Sequence, residues 1–196
     1  MKELLMIFDA NHQKIGVKER EQVHLDGDWH ETFHCWLWKE DLIYLQRRSM
    51  GKKDFPGKYD ITAAGHLTAG ETIVDGIREI EEELGLSLRF EQLTSLGVFE
   101  DVIELDGFVD REFAHTYSYV YQGEPIHFDD EEVMEIVSVN RNELLALTEG
   151  SLRTIEGRSL MTNHLVRIKQ TDLAPHRLTY WQNVFESLTR MDASNR

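Results

Sequence analysis

The chain has 196 residues, 41% of them hydrophobic, enough for one buried core and too few for two full domains. With 36 acidic against 21 basic residues, a net charge of −15, its surface repels a nucleic-acid backbone, so a small-molecule partner is expected. The lone Cys35 excludes an intrachain disulfide and suits a reducing, cytoplasmic setting, while MKELLMIFDANH has too short an apolar run for a signal peptide and no stretch reaches membrane-span length.

In chain order, Leu4 to Phe8 is an apolar strand, Asp9 to His12 a turn, and Lys14 to Val17 a returning strand, giving an N-terminal hairpin within about residues 1–30. Thr32 to Trp38 and Leu42 to Arg47 predict a second hairpin around Lys39-Glu40-Asp41. Met50 to Tyr59 reads as a loop, and its surroundings carry Arg47, Arg48, Lys52, Lys53 and Lys58, basic groups that could meet phosphates. Leu93 to Leu105 and Glu112 to Tyr121 alternate as strands about an Asp106-Gly107 turn, and Val133 to Val139 adds another. A short helix follows from an Asn140 cap to Leu147, and an amphipathic one over about residues 172–191, with Pro175 in its first turn. The mixture lacks strict βαβ alternation, so an α/β fold of the α+β kind, a mixed antiparallel-rich sheet flanked by helices, is expected for residues 1–196 as a single domain. Leu4 to Phe8 and Thr32 to Trp38 could also contribute to a homodimer.

The most informative stretch is Gly65 to Leu86, GHLTAGETIVDGIREIEEELGL. On a helix, Glu79, Glu82 and Glu83 share one face while Ile77, Ile80 and Leu84 face the core. Three converging carboxylates repel one another, and oxygen-only donors favour Mg²⁺, with Mn²⁺ or Ca²⁺ as alternatives. The run Glu81-Glu82-Glu83 also suits a merely solvated face. Gly65 and Gly70 permit tight turns that free carbonyls for a cation, and Gly85 fits a helix C-cap.

These residues resemble the box of the Nudix hydrolases, G-x5-E-x7-R-E-U-x-E-E-x-G-U, with U aliphatic. Gly65, Glu71, Arg78, Glu79, Ile80, Glu82, Glu83, Gly85 and Leu86 fill its fixed positions, although six residues separate Glu71 from Arg78 where the pattern has seven. The resemblance implies an α/β/α sandwich and a Mg²⁺-dependent hydrolase of diphosphate linkages in small organic or nucleoside diphosphate derivatives. It also implies Glu79, Glu82, Glu83 and the Gly65 carbonyl as metal ligands, Arg78 orienting them, and Glu71 bracing the turn. The base could be Glu83, Glu79 or a member of the run Asp129-Asp130-Glu131-Glu132.

Beyond the box, His24, His30, Phe55-Pro56-Gly57 and Ala64-Gly65-His66 resemble the isopentenyl-diphosphate isomerase branch. In that branch two histidines before a strand, one in the glycine turn and two acids downstream hold a divalent metal. The matching positions are His24, His30, His66, Asp110 and Glu112. Where the isomerases carry a cysteine this chain has Ala64, which transfers no proton, so hydrolysis is expected over isomerisation. A silent ligand-sensing Nudix domain is the remaining alternative, disfavoured because all three box glutamates are kept. His34 and His115 are read as core or cross-strand partners, and Trp29, Trp36 and Trp38 as packing or as a stacking wall.

Overall fold

The computed structural model describes residues 2–128 and 130–194, except for the side chains of 193 and 194, so Asp129 lies outside the described residues. The opening hairpin is β1 (Leu4–Phe8) and β2 (Lys14–Glu19), followed by a helix that the sequence did not announce, α1 (Arg20–Asp26). Its Ncap position, Glu19, makes no side-chain capping bond, so the usual N-terminal signal is missing, and it ends on Gly27 at φ 68°. Next come β3 (Trp29–Lys39), β4 (Leu42–Arg48), β5 (Tyr59–Asp60) and β6 (Ala63–His66). After a 3₁₀ turn at Asp75–Ile77 come α2 (Arg78–Leu84), β7 (Thr94–Leu105), β8 (Phe108–Val120), β9 (Val133–Asn140) and α3 (Arg141–Thr148). The Asn140 carboxamide accepts from the amides of Asn142 and Glu143, as expected of a cap.

Two further strands were not expected, β10 (Thr154–Ser159) and β11 (Leu165–Lys169), and the last helix, α4 (Leu178–Ser194), begins later than predicted. Pro175 therefore lies outside it. The segment before α4 runs beside β5 instead, where Leu173 bridges to Tyr59 and the Ala174 amide donates to the Tyr59 carbonyl at 2.8 Å.

All eleven strands among the described residues join one sheet built on the path β11-β10-β9-β4-β3-β1-β2. β3 is its axis. One side of β3 pairs in parallel with β8 from Trp29 opposite Arg111 to Trp38 opposite Val120, and the other is shared by β1, β6 and β4. The strands offered by the sequence as a dimer surface are thus interior: β3 is paired on both sides and β1 lies between β2 and β3. The edge belongs to β2, with Ile15 and Val17 exposed.

Alternation along β3 divides the core into two layers. Trp36 and Trp38 pack with Ile43, Leu144 and the α4 residues Tyr180, Trp181, Val184 and Leu188, whereas Phe33, Cys35 and Leu37 pack with Ile80 and Leu84 of α2. Each fully buried aliphatic side chain contributes about 1.5–3 kcal/mol, so the Ile80 and Leu84 pair fixes the rotation of so short a helix. The result is helices on both faces of a mixed sheet, as expected. No described helix is long and apolar enough to cross a membrane.

Candidate active site

Antiparallel pairing of β6 with β3 sets His66 opposite Thr32 and Ala64 opposite His34, and the parallel register sets His30 opposite Glu112. Paired residues share a face, so these side chains converge on one side of the sheet with Asp110, two positions before Glu112. Thr32, His34, Ala64, His66, Asp110 and Glu112 line a cleft of about 260 Å³ together with Glu79 and Glu83, with His30 buried behind them.

α2 reaches this cleft across β6. A Cβ built on Gly65 would stand 2.1 Å from the Glu79 carboxylate, so only glycine lets that carboxylate lie against the strand. Oε2 of Glu83 accepts from the Ala64 amide at 3.0 Å and from Gln46 Nε2 at 2.9 Å, which leaves Oε1 for the cleft. Burial, opposed in part by Arg78, pushes the Glu79 carboxyl up to about 7, and burial reinforced by the Glu79 charge pushes Glu83 up to about 8. Glu82, in contrast, is 59% exposed and pairs with Arg78 at 3.1 Å, so it is not part of the cleft wall.

Arg78 is the hub. Its Nε and Nη2 grip both oxygens of Glu71 at 2.6 and 3.0 Å, Nη1 reaches Glu79 at 2.5 Å, and Nη2 also donates to the His66 carbonyl at 3.1 Å. A 3₁₀ turn at Asp75–Ile77 leads from the Glu71 segment into α2, and Arg78 meets Glu71 across the six-residue count. Gly76 makes this path open, since a Cβ there would meet Phe33 at 2.6 Å.

Opposite the glutamates, His24, His30, His66 and Asp110 each offer a ligand atom within 4.8 Å of the others. His24 Nε2 and His30 Nε2 stand 3.5 and 3.2 Å from Asp110 Oδ1, yet His24, His30 and His66 Nε2, Asp110 Oδ1 and Glu112 Oε2 are all buried without a hydrogen bond. Buried polar atoms left unpaired are costly, so the four from His24, His30, His66 and Asp110 that gather in one place suit a divalent cation, with Glu112 Oε2 unpaired nearby. Burial, then the neighbouring His30 charge, holds His66 well below the usual histidine range; burial opposes ionisation of Asp110, but the His24 and His30 contacts outweigh it and hold the carboxyl well down.

Of the basic loop residues, Arg48, Lys52 and Lys53 line the cleft, joined by Arg20 from α1. Arg47 instead donates to the Gly57 carbonyl and lies over the Tyr59 ring. Lys58 donates to the Thr171 carbonyl and borders a neighbouring apolar groove, so the structure does not bring it to the carboxylates. Glu132 lines the cleft and pairs with Lys52.

Sequence reasoning missed the back wall. His176 lies between two aspartates, with Nε2 2.7 Å from Asp60 Oδ1 and Nδ1 2.5 Å from Asp101 Oδ2, and Arg48 also meets Asp60 at 3.2 Å. Burial opposes the His176 charge, but Asp60 and Asp101 outweigh it and hold the ring protonated well above the usual range. Next to it, His34 Nδ1 and Trp36 Nε1 meet the Tyr180 hydroxyl at 2.8 and 3.2 Å, and His34 Nε2 lies 3.4 Å from Glu112. His34 is the buried core partner expected of it, Trp36 and Trp38 are packing, and Trp29 stacks on Phe113 with centroids 4.6 Å apart. The sequence pattern puts Pro175 in the first turn of the last helix and gives His176 no role, so nothing in it marks this wall.

Comparison with known proteins places the chain by family and by fold. The NUDIX domain family matches residues 28–156. An uncharacterized Nudix hydrolase of Clostridium acetobutylicum is 32% identical over 95% of this chain and 97% of its own. An isopentenyl-diphosphate Delta-isomerase of Streptomyces griseus is 33% identical over 72% of this chain and 73% of its own. Among solved structures, the MutT protein of Methanosarcina mazei aligns with a TM-score of 0.54 at 17% identity, covering 86% of this chain and 96% of that one, a likeness of fold.

Proposed function

The chain belongs to the Nudix family, and on that premise we propose that it is a Mg²⁺-dependent hydrolase cleaving the diphosphate linkage of a small organic or nucleoside diphosphate derivative. The observation that carries the reading is the approach of Glu79 to Gly65 and of Glu83 to Ala64, across a cleft from Asp110 and Glu112 and beside Arg20, Arg48, Lys52 and Lys53.

Glu79 and Glu83, with Glu82 from the solvent side and the Gly65 carbonyl, would hold Mg²⁺ or Mn²⁺, which when bound neutralises phosphate charge and acidifies water. The residues supply the rest. Arg20, Arg48, Lys52 and Lys53 bind the anionic oxygens and orient the diphosphate over the carboxylates. Glu83, through Oε1, is our choice of base for the attacking water, with Glu79 or Glu132 as the alternative. Arg78 fixes Glu79 against β6, and Glu71 fixes Arg78. His24, His30, His66, Asp110 and Glu112 offer a second divalent ion mixed nitrogen and oxygen donors. The whole chain acts as one unit, because the segment before α4 supplies the back wall, and a cytoplasmic setting suits it.

The isomerase relatives and that histidine cluster support a second reading, isomerisation of an isoprenyl diphosphate. Ala64 has no proton to give, and Cys35 is fully buried on the α2 side of β3, its thiol pushed up by burial, so it does not replace the missing group. A panel of nucleoside, sugar and isoprenyl diphosphates with Mg²⁺ or Mn²⁺ tests the choice. Metal-dependent phosphate or pyrophosphate release that falls in Glu83→Gln supports hydrolysis; a double-bond shift without phosphate release overturns it.

A further inference from the structure

The face of β3 and β8 away from the cleft carries a second group of metal-binding type. Glu31 lies one residue from His30 and so on the opposite face, and the register that sets Phe33 against His115 brings His115 to the same side. The β1–β2 turn then lays His12 over them. His12 Nε2 and His115 Nε2 each stand 2.9 Å from the same oxygen, Glu31 Oε1, and all three atoms lie within 4.8 Å of one another.

We propose that His12, Glu31 and His115 form a zinc site on the back of the sheet, separate from the carboxylate cleft. Two imidazoles and one carboxylate are the donor set zinc accepts, whereas Mg²⁺ prefers oxygen alone. Ligand distances of about 2.0–2.1 Å in a tetrahedron separate donors by about 3.3 Å, so the two 2.9 Å contacts need open by only a few tenths of an ångström.

The ligands are also held in place. His12 adopts φ 59°, its amide donates to the Asp9 carbonyl at 3.0 Å, and its ring stacks on Phe113 with centroids 4.0 Å apart. His115 is fixed within β8, and the Glu31 carbonyl accepts from the Leu67 amide at 3.0 Å. The His12 side chain is 33% exposed against 7% for His115, so the open side admits water as the fourth ligand. Bound zinc would clamp the N-terminal hairpin to the strands whose front carries His30, Asp110 and Glu112.

The test starts from His24→Gln/His30→Gln protein, which lacks two nitrogen ligands of the front cluster. After dialysis against Zn²⁺ with excess Mg²⁺ it should keep one zinc equivalent, and Co²⁺ in its place should give the visible bands of a four-coordinate site. Adding His12→Asn, chosen because asparagine tolerates positive φ, should remove both. Absence of zinc and bands in the double variant, or their persistence with His12→Asn, overturns the proposal and leaves a hydrogen-bonded clamp. If the double variant does not fold, wild type and His12→Asn are compared directly. They should differ by one zinc equivalent with equal circular dichroism and equal Mg²⁺-dependent hydrolysis; equal zinc content overturns the proposal.

Discussion

The Glu79 carboxylate occupies the space a side chain on Gly65 would need, 2.1 Å from the ideal Cβ position. Gly65→Ala should therefore move Glu79 or the strand, costing about 1–3 kcal/mol in urea unfolding, with activity falling about 100-fold through the displaced carboxylate. Wild-type turnover in this variant would show that Glu79 is not held against β6 in the working enzyme.

Glu83→Gln keeps the shape and the bonds from Ala64 and Gln46 to a side-chain oxygen while removing the charge and the proton acceptor. Its kcat should fall by about 10²–10⁴ with little change in melting temperature. Glu82→Gln, at an exposed position, should cost less than Glu83→Gln when both are assayed at saturating Mg²⁺.

Arg78 grips Glu71 through two donors at once, a geometry lysine cannot reproduce. Arg78→Lys should weaken Mg²⁺ activation by about 10–100-fold, read from the metal dependence of the rate. The Arg78 bonds hold the Glu71 carboxyl at about 2 against an ordinary 4.5. A depressed acid stabilises fully above its unfolded value, and the contribution is lost as pH falls from about 4.5 towards 2. The melting-temperature gap between wild type and Glu71→Gln should thus be flat above pH 5 and close on acidification.

His176→Gln should cost about 3–5 kcal/mol in urea unfolding, because it leaves buried Asp60 and Asp101 without their shared cation. The sign with pH follows from both partners. His176, raised well above its usual 6.5, stabilises fully below that value, and the contribution fades as pH climbs through the raised value; Asp60, lowered from 3.8, loses its share only in strong acid. The gap between wild type and variant should therefore narrow at alkaline pH.

The unpaired nitrogens of His24, His30 and His66 make a thermal test of the front cluster direct. With Mg²⁺ already saturating the glutamates, Mn²⁺ at about 100 times its Kd for the histidine cluster should add about 2.7 kcal/mol, roughly 5–10 °C in melting temperature. His30→Gln should abolish most of that shift, and a full shift in the variant would move the ion elsewhere.

The local chemistry is legible in the residue order alone. The spacing of Glu79, Glu82 and Glu83, the Gly85 cap and the apolar pair Ile80 and Leu84 specify a short helix with one acidic face, because helical period and glycine conformation act within a few residues. Ala64 likewise speaks against isomerase chemistry by its identity alone. Tertiary structure decided which of those glutamates faces the cleft: Glu83 is buried against Ala64 and Gln46, while Glu82 looks to solvent. It also decided the parallel register that sets His30 against Glu112, the entry of His176 between Asp60 and Asp101, and the meeting of His12, Glu31 and His115 behind the sheet. These contacts join residues far apart in the chain through strand pairing, and strand alternation fixes only which face a side chain takes, never which strand lies beside it.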